Sequence, residues 1–188
     1  MHDQLGSGLT KANMITDALH REAGVSGSRY QMLRETLEQL TVTMDELVWA
    51  VNPKHDTLDG LADYVIRYTQ EFLSGTGLSC VLDVPADFPP VSLRAPVRHN
   101  LFLAFEEALS NAARHASATE VNVRMAFESG RLELEVADNG RGFDKASVRT
   151  GAHGLENMRQ RLAAIGGLCE VTPTVGHGTR VRFELALG

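Results

Sequence analysis

The spacing of apolar residues changes once along this chain, at Gly75 and Gly77, and that change restricts the available folds more than any other feature. On the N-terminal side the spacing is helical. Tyr30, Leu33, Leu37, Leu40, Met44, Leu47 and Val51 fall alternately three and four residues apart, the heptad seam of a helix that packs along another helix. Leu5, Leu9, Ala12 and Leu19 form a weaker stripe of the same kind. Gly24, Ser26, Gly27 and Ser28 between the two read as the turn of an antiparallel helical hairpin. Pro53 interrupts the seam, since proline lacks an amide hydrogen and disfavours helix at the residue before it, and helical spacing resumes at Leu58, Leu61, Val65, Tyr68 and Phe72. So few helices cannot bury a two-sided seam, so two chains are expected to pair into a four-helix bundle.

Beyond Gly77 the period becomes two. Leu78, Cys80, Leu82 and Val84 alternate with more polar neighbours, Pro85, Pro89 and Pro90 break the run, and a helix is predicted from about Pro96 to Ala116. Val121 to Phe127, Leu132 to Val136 and Val181 to Leu187 read as strands, with a helix near Leu155 to Ile165 between the last two. The chain is therefore read as α+β: residues 1–76 a helical dimerisation hairpin, residues 77–188 an α/β sandwich with strands mostly in hairpins.

Composition agrees and excludes some functions. A chain of 188 residues with 43% hydrophobic content can fill two ordinary cores. Eighteen Lys and Arg stand against 24 Asp and Glu, and no basic run is present to track a phosphate backbone, so nucleic acid is not an expected partner. No apolar run approaches the roughly 18 residues of a membrane span, and no signal-like start is present. Cys80 and Cys169 lack CxxC spacing and read as reduced core residues, which suits the cytoplasm. The start just ahead of His2 reads as a cut through a longer protein, with any membrane attachment expected upstream.

Residues able to do chemistry concentrate in three stretches after position 105. EEALSNAARHA, residues 106 to 116, places Glu107, Asn111 and Arg114 four and then three apart on one helix face, while Leu101, Phe105, Ala108, Leu109 and Ala112 supply the apolar side. An amide oxygen suits Mg²⁺, a guanidinium suits phosphate charge, and a carboxylate can accept a proton or orient water; taken alone, the same face is also an ordinary solvated Glu–Arg pair. VADNGRGF, residues 136 to 143, sets Asp138 where a strand opens into a loop, with Gly140 and Gly142 letting a flat ligand approach the backbone. A carboxylate there suits the exocyclic amine of adenine, although DNG by itself is a common hairpin turn. GAHGLENMRQR, residues 151 to 161, places Gly154 ahead of a helix whose free N–H groups attract phosphate. Near the end, GHGT sets Gly176, Gly178 and Thr179 before the last strand.

In this order the stretches resemble the nucleotide-binding domain of the GHKL ATPases, and specifically of sensor histidine kinases. EALSNAARHA is similar to their N box, DNGRGF and GAHGLENM to their two glycine boxes, and GHGT to the closing glycine–threonine. The resemblance implies a Bergerat-type sandwich holding ATP under a lid, here Asp144 to His153. It further implies Mg²⁺ on Asn111, adenine read by Asp138 with Thr179, and a pocket bordered by Arg114, Gly140, Gly142, His153, Gly154 and Leu155. Glu107 would be the base or water-orienting carboxylate. His115, beside this set, is open to two roles, a phosphate contact or a packed cap.

The helical half fits the same family. HDQLG, residues 2 to 6, resembles the HDxxG-like phosphoacceptor box of one subfamily, and VWAVNPKHDTLDGLADYVIRYTQEFL, residues 48 to 73, resembles its second dimerisation helix and continuation. His2 would then be the phosphoacceptor, since an imidazole near neutrality keeps one ring nitrogen free to attack phosphorus, and Asp3 would orient the other or take its proton. A homodimer through the N-terminal helices and a response regulator receiver domain as partner are implied. Two departures stand out: Ser7 occupies the position where relatives with phosphatase activity often carry glutamine, and the helix ahead of His2 is missing. His55 and Asp56 repeat the pair beside Pro53, where Asp56 or Thr57 is expected to cap a helix. The other histidines lack metal-ligand spacing. The alternative is a dimerising module that binds nucleotide without catalysis.

Overall fold

The computed structural model describes residues 56–144 and 153–187, and within 1–52 the positions Ala12, Ile15, Thr16, Tyr30, Leu33, Thr36, Leu37 and Leu40. The chain divides into two compact units, Met1–Asn52 and Pro53–Gly188. In the first unit every described position is helical. The hairpin turn, His2, Asp3, Ser7 and His55 lie outside the described residues.

The second unit opens with helix α1 (Leu58–Leu73), which starts where Thr57 caps it: the threonine hydroxyl accepts from the Gly60 N–H at 3.1 Å, and Asp59 in the first turn suits the positive end of the helix dipole. Strand β1 (Ser79–Asp83) and helix α2 (Ala95–His115) follow, then β2 (Glu120–Glu128), β3 (Arg131–Asp138), α3 (His153–Ala164), β4 (Leu168–Thr174) and β5 (Gly178–Ala186). The five strands lie in the order β1-β2-β3-β5-β4. β1 runs parallel to β2, with α2 as the long connection a parallel pair requires, and every other pairing is antiparallel.

The core lies between the helices and one sheet face. α2 contributes Leu101, Phe105, Ala108, Leu109 and Ala112, the side expected from its spacing, and the strands contribute Val121, Val123, Met125, Leu132, Leu134, Val136, Val181, Phe183 and Leu185, all buried. Met158 and Leu162 of α3 close the layer. Each large apolar side chain removed from water in this way stabilises the fold by about 1.5–3 kcal/mol.

The opposite sheet face is polar for a reason visible in the register. Asp83, Arg124, Glu135, Arg182 and Glu170 lie side by side across the five strands and alternate in sign. Glu135, nearly buried, pairs with Arg180 at 3.3 Å and with Arg182 at 3.5 Å. Opposite charges directly across a ladder favour this register, and a charged face does not bury, which leaves the inner face to hold a ligand.

The second unit includes α1, which packs on α2 through aromatic rings: Tyr64 and Tyr68 meet Phe102 edge-on at 4.7 and 5.0 Å between centroids. Strand β4 escaped the sequence reading. It is an edge strand with only Val171 buried, and its Pro173 is tolerated because an edge has a free N–H side.

Candidate functional site

The site grows out of small residues on α2. Ala108, Ala112 and Ala116 recur every fourth position, so they face the sheet as one smooth strip and leave a slot where larger side chains would have packed. The slot is a cavity of about 250 Å³, walled by those alanines with Val136, Val181, Leu155, Met158 and Phe143. Its polar lining is Asn111, His115, Asp138, Arg141 and Thr179. A flat, mostly apolar slot with a few convergent polar groups is the usual form of a small-molecule site.

Asp138 ends β3 and is half-buried at the cavity wall. Burial pushes its carboxyl above the usual carboxylate range, opposed by backbone N–H groups of Gly140 and Thr179; the Gly140 bond is 2.9 Å. The carboxylate is held in place yet keeps acceptor capacity toward the cavity. Its backbone is held as tightly. Gly178, at φ +91°, lies against the Asp138 carbonyl so closely that a Cβ would overlap it, and Gly142, at φ +58°, lies in the same way against the Thr174 carbonyl. Gly140 fits against Ala116 at the end of α2. Arg141 completes the tie: its N–H donates to the Ala116 carbonyl at 2.8 Å, its Nε to the His115 carbonyl at 3.1 Å, and its carbonyl accepts from Gly176 at 2.7 Å.

On the other side of the slot Asn111 donates to Glu107 Oε1 at 3.1 Å. With its nitrogen so engaged, the amide oxygen of Asn111 is the atom available to a cation. Glu107 lies against Gly154 in the first turn of α3, where helix N–H groups have no intrahelical partner. The neighbouring Glu106 turns the other way and accepts from the Tyr68 hydroxyl at 3.1 Å; burial raises its pKa, the hydroxyl lowers it, and Glu107 adds repulsion.

Of the residues singled out from sequence, Asn111, His115, Asp138, Gly142, Leu155 and Thr179 line the cavity. Gly140, Gly154 and Glu107 stand immediately behind them through the contacts above. Arg114 is exposed on the last turn of α2, outside the lining. The His153 side chain, residues 145–152 and the His2–Asp3 pair lie outside the described residues. Sequence reading missed Arg141, Phe143 and Met158. The first two sit inside the quoted DNGRGF stretch, whereas Met158 carried no signal beyond an apolar position on a helix.

Residues 97–188 match the family described as histidine kinase-, DNA gyrase B- and HSP90-like ATPases. The chain is thus similar to catalytic cores of the GHKL histidine-kinase type, and an ATPase domain of this kind implies ATP binding. Over 191 residues and the whole chain it is 27% identical to sensor histidine kinase LiaS of Bacillus subtilis, covering 52% of that protein. It is 26% identical to sensor protein VraS of Staphylococcus haemolyticus, covering 53%. The chain therefore spans about half the length of these curated relatives. Among solved structures, the histidine kinase domain of the Erythrobacter litoralis EL346 blue-light activated histidine kinase superposes with a TM-score of 0.63 at 21% identity, covering 99% of this chain and 94% of that one. Full-length ShkA in complex with AMPPNP gives 0.62 at 18%, covering 100% and 45%.

Proposed function

We propose that this chain is the kinase core of a sensor histidine kinase, which binds Mg-ATP in the α2–sheet slot, phosphorylates itself on His2 and passes the phosphoryl group to an aspartate of a response regulator receiver domain. One observation carries the reading: a single cavity is lined both by Asp138, a half-buried acceptor suited to the exocyclic amine of adenine, and by Asn111, whose amide oxygen suits a hard cation. The alanine strip and Val136 stack the base, Thr179 assists Asp138, and the first turn of α3 at Gly154 draws the phosphates.

Among the described residues no group of three or more His, Cys, Asp or Glu could hold a metal ion. Magnesium would therefore rest on Asn111, nucleotide phosphates and water, which fits an ion that keeps much of its water shell. Bound there, it would neutralise phosphate charge. The protein side of the reaction is positioning and proton management. An unprotonated ring nitrogen of His2 attacks the γ-phosphorus as the bond to the β–γ bridging oxygen breaks and ADP leaves. The proton on the other ring nitrogen passes to Asp3 or Glu107, the carboxylates assigned to it.

A homodimer through the N-terminal helices is part of this reading. Leu33 and Leu40, seven positions apart and both helical, each leave about half their surface exposed, 49% and 50%, and a partner helix would cover them. No described helix is long and apolar enough to cross a membrane. The core is assigned to the cytoplasm, with membrane attachment through upstream regions.

Incubation with γ-labelled ATP and Mg²⁺, beside His2→Gln, tests the proposal. Label on the parent chain and none on the variant is expected. Label that persists in the variant removes His2 from its role, and ATP binding without label in either chain favours a non-catalytic nucleotide-binding module.

A further inference from the structure

Asn139 follows Asp138 at the end of β3, and in sequence the DNG stretch reads as a local turn. Its side chain bonds elsewhere. Asn139 Oδ1 accepts from the Thr119 N–H at 2.9 Å and from the Glu120 N–H at 3.0 Å, while its amide nitrogen donates to Thr119 Oγ1 at 2.9 Å. These bonds reach 19 or 20 residues back along the chain. The main chain adds another, from the Asn139 N–H to the Glu120 carbonyl at 3.2 Å. In a hydrogen-bonded antiparallel pair the two residues exchange both N–H···O bonds. Here the return bond from Glu120 goes to the asparagine side chain, so the ladder closes on an amide oxygen and the main chain is released to turn at Gly140.

The partners lie where α2 passes into β2. That passage is short, with Ser117 at φ +53° between the end of α2 and Thr119. Thr119 is fixed on its other side as well, its carbonyl accepting from the Ser79 N–H and from the Ser79 hydroxyl, each at 3.0 Å. Asn139 therefore ties the end of β3 to an anchored point just beyond α2. The same two elements wall the slot: Ala112, His115 and Ala116 on or beside the end of α2, Asp138 on β3. Gly140 and Arg141 meet the end of α2 from the next two positions, so residues 139–141 are all held against the junction, and Asn139 supplies the tie nearest Asp138. Neither Asn139 nor Thr119 lines the slot.

We propose that Asn139, with Thr119, is a positioning residue that sets the base selectivity of the slot: its clasp fixes the Asp138 carboxylate against the α2 wall, so that a base with an exocyclic amine at that point is favoured over one without. This rests on the reading of the slot as an ATP site with Asp138 at the adenine amine. A hydrogen-bonding site rejects a base that lacks the amine because its acceptor is then left unpaired. That rejection is only as sharp as the acceptor is fixed, since a carboxylate free to withdraw lets water take the place of the missing amine.

The test compares the full chain with Asn139→Ala, which removes all three side-chain bonds, and with Asn139→Asp, which keeps the two acceptor bonds while the Thr119 hydroxyl turns to donate. Both residues are exposed, so the alanine variant opens no cavity in the core. Asn139→Ser, too short to reach both amides, takes its place if it does not fold. Dissociation constants are read with Mg²⁺ for ATP and for purine riboside triphosphate, the same nucleotide without its 6-amino group. Their ratio does not depend on the fraction of chain that is folded. The expected result is a preference for ATP in the parent that falls by about 3- to 10-fold in Asn139→Ala, the worth of one loosened hydrogen bond. In Asn139→Asp it stays within roughly twofold of the parent. The amides of Thr119 and Glu120 exchange faster in the alanine variant, while that of Val123 in the sheet keeps its protection. A ratio unchanged in the alanine variant, both nucleotides weakened by one factor, or an aspartate variant no better than alanine would overturn the proposal and leave the ATP reading standing. A parent that binds neither nucleotide, or binds the two alike, refutes the adenine reading of Asp138 and the proposal with it.

Discussion

Asn111 donates its side-chain amide to Glu107 at 3.1 Å, and the same carboxylate fills the space that a side chain on Gly154 would need. The two helices are thereby joined at the point where phosphates are expected: one brings the proposed cation ligand and a carboxylate, the other brings the N–H groups of its first turn. Glu107 is accordingly held, not swinging in solvent, before any nucleotide arrives.

Glu107→Gln preserves the shape and the acceptor toward Asn111 but removes the carboxylate proposed as base or water-orienting group. Autophosphorylation is expected to fall by about 10²–10⁴-fold at saturating ATP, with nucleotide affinity little changed. Initial rates with γ-labelled ATP, set beside a fluorescent-nucleotide titration, check this. An affinity loss as large as the rate loss would show that Glu107 binds and does not catalyse.

Gly178→Ala brings a Cβ onto the Asp138 carbonyl at a residue whose φ is +91°. The strained backbone alone costs about 1–3 kcal/mol, and the overlap must also push the Asp138 backbone aside. Urea unfolding is expected to show at least that loss, and the slot is expected to lose nucleotide. A variant as stable as the parent would mean that the turn relaxes freely.

Asp138→Asn separates stability from binding. Burial raises the folded-state pKa of Asp138, so its ionisation opposes folding. That cost is absent below the unfolded-state pKa, grows as pH rises toward the folded-state value and is complete above it. The asparagine variant is therefore expected to equal or exceed the parent in stability near about pH 7 and to lose that advantage near about pH 4, while its nucleotide affinity drops at neutral pH. In the parent, affinity is expected to weaken on acidification from above the ordinary carboxylate range, as calorimetric titration across pH would reveal.

Tyr68→Phe removes the hydroxyl that Glu106 accepts from. A loss of about 0.5–1.5 kcal/mol is expected. Burial already raises the Glu106 pKa and the hydroxyl counters it, so its removal raises the pKa further. The stability penalty is consequently larger at neutral pH, where the carboxylate must be ionised, and smaller once acid protonates it in both states. Denaturation curves at the two pH values give the comparison, and a penalty that grows in acid would contradict it.

Local pattern alone determined a good deal of this protein. Helical and strand periods are properties of neighbouring residues, so α1, α2, α3 and four of the five strands were legible, as was the apolar side of α2 from Leu101 to Ala112. The cavity-lining motif residues Asn111, Asp138, Gly142 and Thr179 were legible too, because short polar groups and glycines at fixed spacing need no distant partner to be noticed. Tertiary structure decided what depends on residues far apart in sequence. It showed that Gly178 braces Asp138, that Glu107 sits against Gly154, that α1 belongs with the second unit through its rings on Phe102, and that β4 is a strand although only Val171 is buried. Arg98 shows the limit most clearly. In sequence it is one more charged residue on a helix, and only folding reveals that it is wholly buried, since burial is set by every element that closes around a side chain.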